Sequence, residues 1–258
     1  MRDFLEEIIV KAGELLSEQF GLQHIVEYKA EGKYQTYPQA VTALDQRVHE
    51  FLAGLILERF PDHHILSEES TGELTESGYT WLIDPIDGTT HFSRGLPNYS
   101  VSVALYHKGD VILGATYAPY YSDLYVAEKG QGAFCNHLPI SVSKTNTLRE
   151  ALIASAAYQS YKLSGLEQSF FNVAEQIKNL RMFASPALDL CYVASGKLEA
   201  RIFANTEAWD YAASALIVEE AGGLVTEWSG KRWTLKSEGL VASNAILHDQ
   251  ILRILAIR

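Results

Sequence analysis

Apolar residues recur at helical spacing in two stretches near the start of the chain. The first covers residues 3–20, where Phe4, Ile8 and Leu15 fall on one face of a predicted amphipathic helix. The segment at residues 27–39 lacks sustained periodicity and predicts a loop or a weak hairpin. A second helix is predicted from about residue 42 until Pro61, and its apolar face is formed by Leu44, Val48, Phe51, Leu52, Leu55 and Ile56.

The pattern then changes to the alternation and short apolar runs that are typical of strands. HILSEES predicts a short strand that continues into a loop, and WLIDPID predicts a buried strand that ends in carboxylates. YSVSVALY (residues 99–106), VILGATYA and DLYVAE alternate strongly and are separated by Gly and Pro turns. The first half of the chain, about residues 1–145, is therefore predicted to be α+β.

Strands and helices are mixed in the second half, about residues 146–258, and predict an α/β arrangement. ALIASAA and EARIF are predicted strands, and residues 166–180 form a predicted helix. PALDLCYVASG predicts a helix with Pro186 near its start and Gly196 past its end. WDYAASALIVEEAGG and AILHDQILRILAI predict two more helices. No Pro- or Ser-rich linker separates the halves, so we expect a single unit over residues 1–258 whose halves share one active-site cleft.

Composition and charge narrow the range of functions. The chain has 258 residues, of which 47% are hydrophobic and 21% charged, as is typical of a globular protein. No apolar run is long enough to span a membrane, and the N-terminal stretch carries acids within its apolar stripe, unlike a signal peptide. The two cysteines, Cys135 and Cys191, form no C-x-x-C motif and suit a reducing compartment. We therefore expect a cytoplasmic protein without membrane association.

The net charge of −11 argues against direct nucleic-acid binding, which needs a basic surface. An acidic protein can still act on phosphate esters if a cation lies between the two negative partners. The charge balance is therefore a first indication that a metal ion matters.

Three acidic clusters lie at predicted element boundaries, where side chains can converge on a cleft. They are Glu68 and Glu69 in SEES, Asp84 and Asp87 in DPIDGT, and Asp210 in WDYAA. Each has a purely structural interpretation: SEES suits a solvated acidic loop, DPIDG a type I turn, and Asp210 a helix N-cap.

Considered together, the clusters favour a metal site. The strand would fix Asp84 and a turn would direct Asp87 to the same side, so that the carbonyl of Ile86 can point into the gap. Close carboxylates repel one another unless a cation is present. Magnesium suits such oxygen ligands where phosphate and water complete its shell. The backbone N–H groups of Gly88, Thr89 and Thr90, which open the next segment, could hold a phosphate oxygen.

WLIDPIDGTTHF, SEES upstream and EAWDYAASALIVEEAGG downstream resemble the three signatures of the inositol monophosphatase family. VTALDQRVHEFL and GQGAFCN are similar to the same family, so the resemblance covers nearly the whole chain. It implies a layered αβαβα sandwich of the inositol monophosphatase and fructose-1,6-bisphosphatase type, in the α+β class. It also implies a homodimeric, magnesium-dependent and lithium-sensitive phosphomonoesterase that acts on a small phosphorylated polyol or sugar.

The resemblance further implies a set of metal ligands. Glu68, Asp84, Asp87 and Asp210 would hold two or three Mg²⁺ ions together with the carbonyl of Ile86. The first ion would be shared by Glu68, Asp84 and Ile86. The second would be shared by Asp84, Asp87 and Asp210. Such a pair of ions stabilises charge at both the attacking and the leaving oxygen, and no covalent nucleophile is needed.

Catalytic and substrate-binding residues are implied in the same way. Thr89, with Asp45 behind it, would orient the attacking water, and Glu69 would accept its proton. From the sequence alone, Asp45 is more simply interpreted as an acid in the first turn of a helix. The residues in contact with the substrate would be Asp87, Gly88, Thr89, Ala184, Ser185 and Asp210.

Two departures from the family pattern lie at His91 and in the run Ala184, Ser185, Pro186. His91 replaces the usual asparagine, and a surface or packing histidine is its simpler interpretation. The run replaces a Gly-Ser/Thr-Ala sequence. Because proline has no N–H, any contact from position 186 to a substrate hydroxyl is lost.

A third departure concerns recognition of the polyol. Phe203 stands seven positions before Asp210, where inositol-hydrolysing members carry a glutamate that binds sugar hydroxyls. Glu207 is a candidate replacement, although an exposed loop acid is the simpler interpretation. We therefore expect a phosphatase whose preferred substrate differs from myo-inositol 1-phosphate.

Two alternatives for the function stay open. The same chemistry could serve fructose 1,6-bisphosphate, a 3′-phosphonucleotide or histidinol phosphate. For a nucleotide, Arg181, Lys197 and Arg201 are candidate contacts that could equally be surface charges. The other alternative is a regulatory binding protein that retains the fold, since some bacterial relatives are associated with transcription complexes.

Overall fold

Two helices of the first half pack together on one face of a large sheet. The computed structural model describes residues 1–22, 27–28, 40–70, 78–155, 161–162, 167–204 and 206–256. Helices α1 (Arg2–Gln19) and α2 (Ala43–Arg59) confirm the two predicted helices. The short strands β1 (Glu27–Tyr28) and β2 (Ala40–Val41) pair antiparallel, and the rest of the predicted loop or hairpin, residues 29–39, lies outside the described residues.

A seven-stranded sheet follows the chain order and confirms the predicted strands of this half. Its strands are β3 (His64–Ser67), β4 (Tyr79–Asp87), β5 (Ser100–His107), β6 (Asp110–Ala118), β7 (Asp123–Glu128), β8 (Ala133–Cys135) and β9 (Leu138–Pro139). β3 and β4 run parallel, and all other neighbours are antiparallel. Between β4 and β5 lies the short helix α3 (Thr89–Phe92).

The second half forms a five-stranded sheet with four helices among its described residues. In chain order its elements are β10 (Leu152–Ser155), α4 (Glu167–Gln176), β11 (Asn179–Arg181), α5 (Pro186–Ala194), β12 (Ala200–Ile202), α6 (Ala208–Glu220), β13 (Leu224–Glu227), β14 (Leu240–Ser243) and α7 (His248–Leu255). The sheet order is β11-β10-β12-β14-β13, with β10 parallel to both of its neighbours and β14 antiparallel to its own.

The helix predicted over residues 166–180 is too long. Helix α4 ends at Gln176, and residues 179–181 form an edge strand in which Leu180 pairs with Ile153. The apolar spacing of this stretch continues past the end of the helix, but the backbone after Gln176 hydrogen-bonds to the sheet, where the N–H of Lys178 donates to Ala151. Residue 166, and residues 156–157 of the predicted ALIASAA strand, lie outside the described residues.

The buried side chains form three clusters that separate five layers. Alternate residues of β4 face opposite ways: Trp81 packs with α1 and α2, whereas Leu82 packs with α5 and α6. The cluster around α5 and α6 also includes Ala242 of the smaller sheet, so these helices lie between the two sheets. A third cluster joins the outer face of that sheet to α4 and α7. The order is αβαβα, which confirms the predicted layered sandwich.

Helix α6 lies unusually close to the larger sheet at Gly114. A Cβ atom built on Gly114 of β6 would lie 2.6 Å from the carbonyl oxygen of Ala213 and 2.8 Å from its Cα. Both contacts are to backbone, which cannot move aside as a flexible side chain can. The contact therefore requires glycine, and it lets α6 approach the larger sheet closely.

We expect Gly114→Ala to lower the free energy of unfolding by about 1–3 kcal/mol, because the added methyl group overpacks this contact. Gly54→Ala is the matched control: Gly54 is exposed in α2, and a Cβ there meets nothing within 4 Å. The control should gain about 0.5–1 kcal/mol from helix propensity. Urea unfolding of both variants measures the difference, and equal effects would contradict the close approach of α6.

Candidate active site

Asp84 and Asp87 lie on the bulged end of β4. Asp84 pairs with Ser102 and Asp87 with Ser100, so three steps along β4 match two along β5. In a regular strand, residues three positions apart face opposite sides of the sheet. The extra residue of the bulge shifts this alternation by one position, so both carboxylates project from the same face of the sheet as the two serines. Each aspartate is only 2% exposed. The predicted type I turn over DPIDG is therefore wrong, because these residues remain in the strand and the chain turns at Gly88.

Gly88 makes this turn in a left-handed conformation with φ of +89°. A Cβ at this position would lie 2.8 Å from the carbonyl oxygen of Asn98 and 3.2 Å from that of Ala184. Both the φ angle and the space therefore require glycine. Helix α3 begins directly afterwards with Thr89, and the first N–H groups of a helix have no partner within it.

Thr89 connects the turn to Asp45 on α2. The Thr89 hydroxyl lies 2.8 Å from the carbonyl oxygen of Ile86 and 3.2 Å from Oδ1 of Asp45. Asp45 is buried in the first turn of α2, as predicted, and its Oδ2 accepts hydrogen bonds from the N–H and hydroxyl of Thr42 in a capping box. The structure thus brings together two residues, Asp45 and Thr89, that lie 44 positions apart.

Glu68 and Glu69 follow β3 at the same end of the sheet. The N–H of Glu68 donates to the carbonyl of Ile83 at 3.3 Å, which continues the pairing of β3 with β4 and brings Glu68 alongside Asp84. The N–H of Glu69 donates to the hydroxyl of Ser67, which also contacts His49 Nδ1 at 3.0 Å. Both glutamates are half-buried, so SEES is not a fully solvated loop.

The start of α5 holds Asp87. Oδ2 of Asp87 accepts hydrogen bonds from the hydroxyls of Ser100 and Ser185 and from the N–H groups of Ala187 and Leu188. Pro186 is the first residue of α5, where a missing N–H costs nothing, and the two residues after it supply the donors. Oδ1 of Asp87 receives none of these four hydrogen bonds.

The predicted substrate contacts Ala184 and Ser185 lie beside this helix start. Ser185 is fully buried and its hydroxyl is directed to Asp87, whereas Ala184 is exposed and has a φ of +52°. The carbonyl of Ala184 approaches Gly88, so both residues lie next to the turn. Their contact with a substrate stays a prediction.

Asp210 occupies the third position of α6 rather than its N-cap, so the alternative interpretation as an N-cap is wrong. The N-cap is Glu207, whose N–H donates to Oδ2 of Asp210 at 2.9 Å, and the hydroxyl of Thr206 donates to the same oxygen at 2.9 Å. Asp45 on α2 has the same arrangement. Two helices therefore begin with capping boxes whose aspartates are directed to one region.

Four acidic side chains lie close enough to Asp84 for their charges to raise its pKa. Burial raises the pKa of Asp84 well above its usual value, and the charges of Glu68, Asp87, Asp210 and Asp45 raise it further, in that order. Burial likewise raises the pKa of Asp87 to about 6 against four hydrogen bonds that lower it, and the pKa of Asp210 to about 7. Like charges in a desolvated pocket are costly, and either protons or cations can relieve the repulsion.

The residues present fit a hard divalent cation. All the side-chain donors are carboxylate oxygens, and the carbonyl of Ile86 lies beside them next to a turn that excludes a Cβ. Among the described residues, no three His, Cys, Asp or Glu side chains stand close enough to share an ion without rearrangement. The ligand assignment therefore stays a proposal that rests on charge and donor type.

Several residues singled out from the sequence are buried in the core and do not line this cluster. Phe203, expected at the polyol-binding rim, is 2% exposed and packs in the core beside Tyr211. Arg201, expected as a substrate contact or a surface charge, is buried as well. Both expectations are corrected: alternation along β12 and the residue that follows it turns these side chains inward, which a position count cannot reveal.

The other two candidate cations lie elsewhere. Lys197 contacts the hydroxyl of Tyr125 at 3.0 Å and lies over the ring of Tyr192, and Arg181 donates to the carbonyl of Leu180. His91 is half-buried, and burial lowers its pKa. This half-buried position agrees with the packing interpretation of His91.

The supporting residues of the site were not found from the sequence. Ser100 and Thr206 bind the carboxylates directly, and His49 contacts the loop that carries Glu68 and Glu69. Thr42 could have been found, because Thr at an N-cap followed by an acid three residues later is a capping-box pattern. Ser100 gave no such signal, since its role depends on the register between β4 and β5.

The sequence model of the inositol monophosphatase family matches residues 1–257, and the chain belongs to this family. Together with the layered fold, this membership makes the chain a phosphoric monoester hydrolase.

Relatives of known name agree with this membership. The chain is 34% identical over 252 residues to the fructose-1,6-bisphosphatase/inositol-1-monophosphatase of Thermotoga maritima, covering 98% of this chain and 94% of the relative. It is 33% identical to the inositol-1-monophosphatase of Bacillus subtilis, covering 82% of this chain and 81% of the relative. It is also 36% identical to the Nus factor SuhB of Pasteurella multocida, with coverage of 82% and 80%.

Solved structures show the same fold. The Thermotoga maritima IMPase superposes with a TM-score of 0.88 at 33% identity, covering 98% of this chain and 95% of that chain. The extragenic suppressor protein suhB of Bartonella henselae also gives 0.88, at 29% identity with coverage of 99% and 98%.

The raised pKa of Asp210 gives a pH prediction. A partly buried carboxyl whose pKa is about 7 in the folded protein and near its usual 3.8 in the unfolded one binds its proton preferentially when folded. Its contribution to stability is therefore fully present below about pH 4 and is lost as pH rises through 7. In EDTA, Asp210→Asn should become more stable relative to the wild-type protein as pH rises from 5 to 8.

Urea midpoints of the two proteins at several pH values measure this trend. Excess Mg²⁺ is the control, because a bound cation removes the repulsion and should abolish or reverse the trend. A difference in stability that is independent of pH in EDTA would contradict the account.

Proposed function

We propose that the chain hydrolyses the phosphate monoester of a small polyol or sugar in a magnesium-dependent reaction. The observation that carries the proposal is the convergence of four carboxylates on that of Asp84, beside the Gly88 turn. Phosphate esters are very stable in water, so their hydrolysis requires strong stabilisation of developing negative charge. The acidic side chains cannot supply it themselves, which is why a cation belongs to the proposal.

The ions would be held by the residues that the family resemblance implies. Glu68, Asp84 and the carbonyl of Ile86 would hold one Mg²⁺, and Asp84, Asp87 and Asp210 a second, with a third ion as a further possibility. When bound, such ions lower the pKa of a coordinated water and stabilise the charge on a leaving oxygen. The hydrogen bonds to Oδ2 of Asp87 and of Asp210 would fix these side chains in place.

The other residues of the chain would bind phosphate and move a proton. The N–H groups of Gly88 and Thr89 would hold phosphate oxygens at the start of α3. The Thr89 hydroxyl, oriented by Asp45, would position the attacking water, and Glu69 would accept the proton from it. Glu69 lies close enough to Asp45 for its charge to raise the pKa of that residue, although burial is the larger cause.

The substrate is the finer part of the proposal. Relatives are named for inositol 1-monophosphate and for fructose 1,6-bisphosphate. Because Phe203 lies in the core, it supplies neither a hydrogen bond nor a surface to a polyol. Glu207 is exposed at the start of α6, one turn from Asp210, and would take over this contact. We propose a preference for a phosphorylated polyol or sugar other than myo-inositol 1-phosphate.

Phosphate release from a panel of inositol, sugar and nucleotide phosphates with Mg²⁺ tests this preference. We expect turnover to fall by at least about a hundredfold in Asp87→Asn, because a carboxylate ligand is lost. Asp249→Asn, an exposed aspartate in α7, is the control and should keep wild-type rates. A clear preference for myo-inositol 1-phosphate would contradict the substrate claim alone, and full activity of Asp87→Asn would contradict the mechanism.

A regulatory binding protein is the second candidate, because several relatives are named Nus factor SuhB. One assay, the turnover of phosphate esters, distinguishes the enzyme from the regulatory binding protein. No turnover of any ester by a folded protein would favour the binding role, whereas turnover that depends on Asp87 favours catalysis.

We also propose that the chain is a cytoplasmic homodimer that does not bind nucleic acid directly. None of the described helices is long and apolar enough to cross a bilayer. Tyr120 and Tyr121 are exposed and their rings meet edge-on at 5.2 Å, so they form one exposed apolar patch, and such a patch suits a protein interface.

Light scattering should give twice the monomer mass of 28.7 kDa. Tyr120→Glu should shift the protein towards monomer, since it places a charge in the proposed interface. Leu138→Glu, at an exposed apolar residue on β9, is the control and should remain dimeric. A monomeric wild-type protein would contradict the proposal.

A further inference from the structure

A buried ion pair joins α5 to the smaller sheet. Oδ2 of Asp189, in the first turn of α5, lies 3.0 Å from Nε of Arg201 on β12. The two side chains are 0% and 4% exposed. The other ion pairs recorded among the described residues are all more exposed than this one.

Stability alone does not account for this pair. Removing two charges from water is costly, and apolar residues of similar volume often stabilise a core as well or better. The alignment is also poor, because neither oxygen of Asp189 makes a hydrogen bond within the described residues, nor does Nε of Arg201. The pair is held by charge, so its presence calls for a role other than packing.

One end of the pair adjoins Asp87. The N–H groups of Ala187 and Leu188 donate to Asp87, and Asp189 is the next residue of the same helical turn. Burial raises the pKa of Asp189 to about 7, Arg201 acts to lower it, and the charge of Asp87 raises it further. Asp189 and Asp87 are therefore within electrostatic range of each other.

The other end leads towards Asp210. The guanidinium of Arg201 lies 4.5 Å from the centre of the Phe203 ring, and that ring packs edge-on against Tyr211 at 6.3 Å. Tyr211 is the neighbour of Asp210 in α6, and its hydroxyl donates to the carbonyl of Thr234 at 2.8 Å. Arg201 thus pairs with the first turn of α5, and the Phe203 ring links it to the first turn of α6.

We propose that Asp189 and Arg201 are positioning residues that fix Asp87 relative to Asp210. The inference rests on the proposed function, in which these two aspartates share an ion. Neither Asp189 nor Arg201 touches the substrate. Arg201 ties the first turns of two helices to one strand, so that their carboxylates keep the separation that a shared cation requires. Outer residues that orient metal ligands commonly contribute tenfold or more to metal affinity or activity.

The test separates position from stability. In Asp189→Leu/Arg201→Met an apolar pair replaces the ion pair, and we expect the urea midpoint to stay near wild type or to rise. Mn²⁺ affinity measured by electron paramagnetic resonance should nevertheless fall by at least about tenfold. With Mg²⁺, kcat for phosphate release should fall by a similar factor while KM changes little, because the substrate contacts are retained.

Glu199→Gln is the matched control. Glu199 is a buried carboxylate beside β12 that accepts hydrogen bonds from the N–H of Leu152 and the hydroxyl of Thr145, away from Asp87. It should lose stability without losing Mn²⁺ affinity.

A double variant that is folded and loses less than about tenfold in Mn²⁺ affinity would overturn the inference. An equal loss in Glu199→Gln would overturn it as well. If the double variant does not fold, the Mn²⁺ affinity of Asp189→Asn, which keeps the volume of the side chain, is measured instead. The same tenfold loss is then expected, and a smaller loss would overturn the inference. If the wild-type protein hydrolyses no ester, the proposed function fails, while the comparison of Mn²⁺ affinities still decides the positioning role.

Discussion

The repulsion among carboxylates around Asp84 is the constraint on which the rest of the site depends. Asp84 and Asp87 leave water at the end of a buried strand, and Glu68, Asp45 and Asp210 approach them from three other elements. Backbone or hydroxyl donors stabilise three of these carboxylates. Capping boxes hold Asp45 and Asp210, and the first free N–H groups of α5 hold Asp87. The positive ends of helices therefore offset part of the repulsion. Protons or a cation can offset the remainder, and this is the physical basis for proposing a metal ion here.

The layered architecture serves this convergence. Helices α5 and α6 lie between the two sheets, and both begin at the end where β4 terminates. Close packing sets their position, as the contact of Gly114 with the backbone of Ala213 illustrates. Because so many elements end at one place, a small displacement of either helix would move a carboxylate relative to Asp84.

Much of this organisation could be predicted from the sequence, because it depends on local pattern. Apolar periodicity predicted α1, α2 and the strands of the larger sheet, and the spacing of acids around Gly88 predicted the cluster. The type I turn over DPIDG was wrong, since a bulge is set by the register of β4 against β5 and leaves no composition signal. Phe203 and Arg201 were misplaced for a related reason: which face of a short strand is buried depends on the layer that covers it. Ser100 and Ser185 support Asp87 through contacts 13 and 98 positions apart in sequence, which pattern reasoning cannot reach.

We expect these carboxylates to bind protons that a divalent cation displaces. Calorimetric titration with Mg²⁺ near pH 6, repeated in buffers of different ionisation enthalpy, counts the protons released for each binding event. The account predicts saturable binding with release of roughly one or more protons, falling towards zero above about pH 8. Binding that releases no protons near pH 6, or no binding by the folded protein, would contradict it.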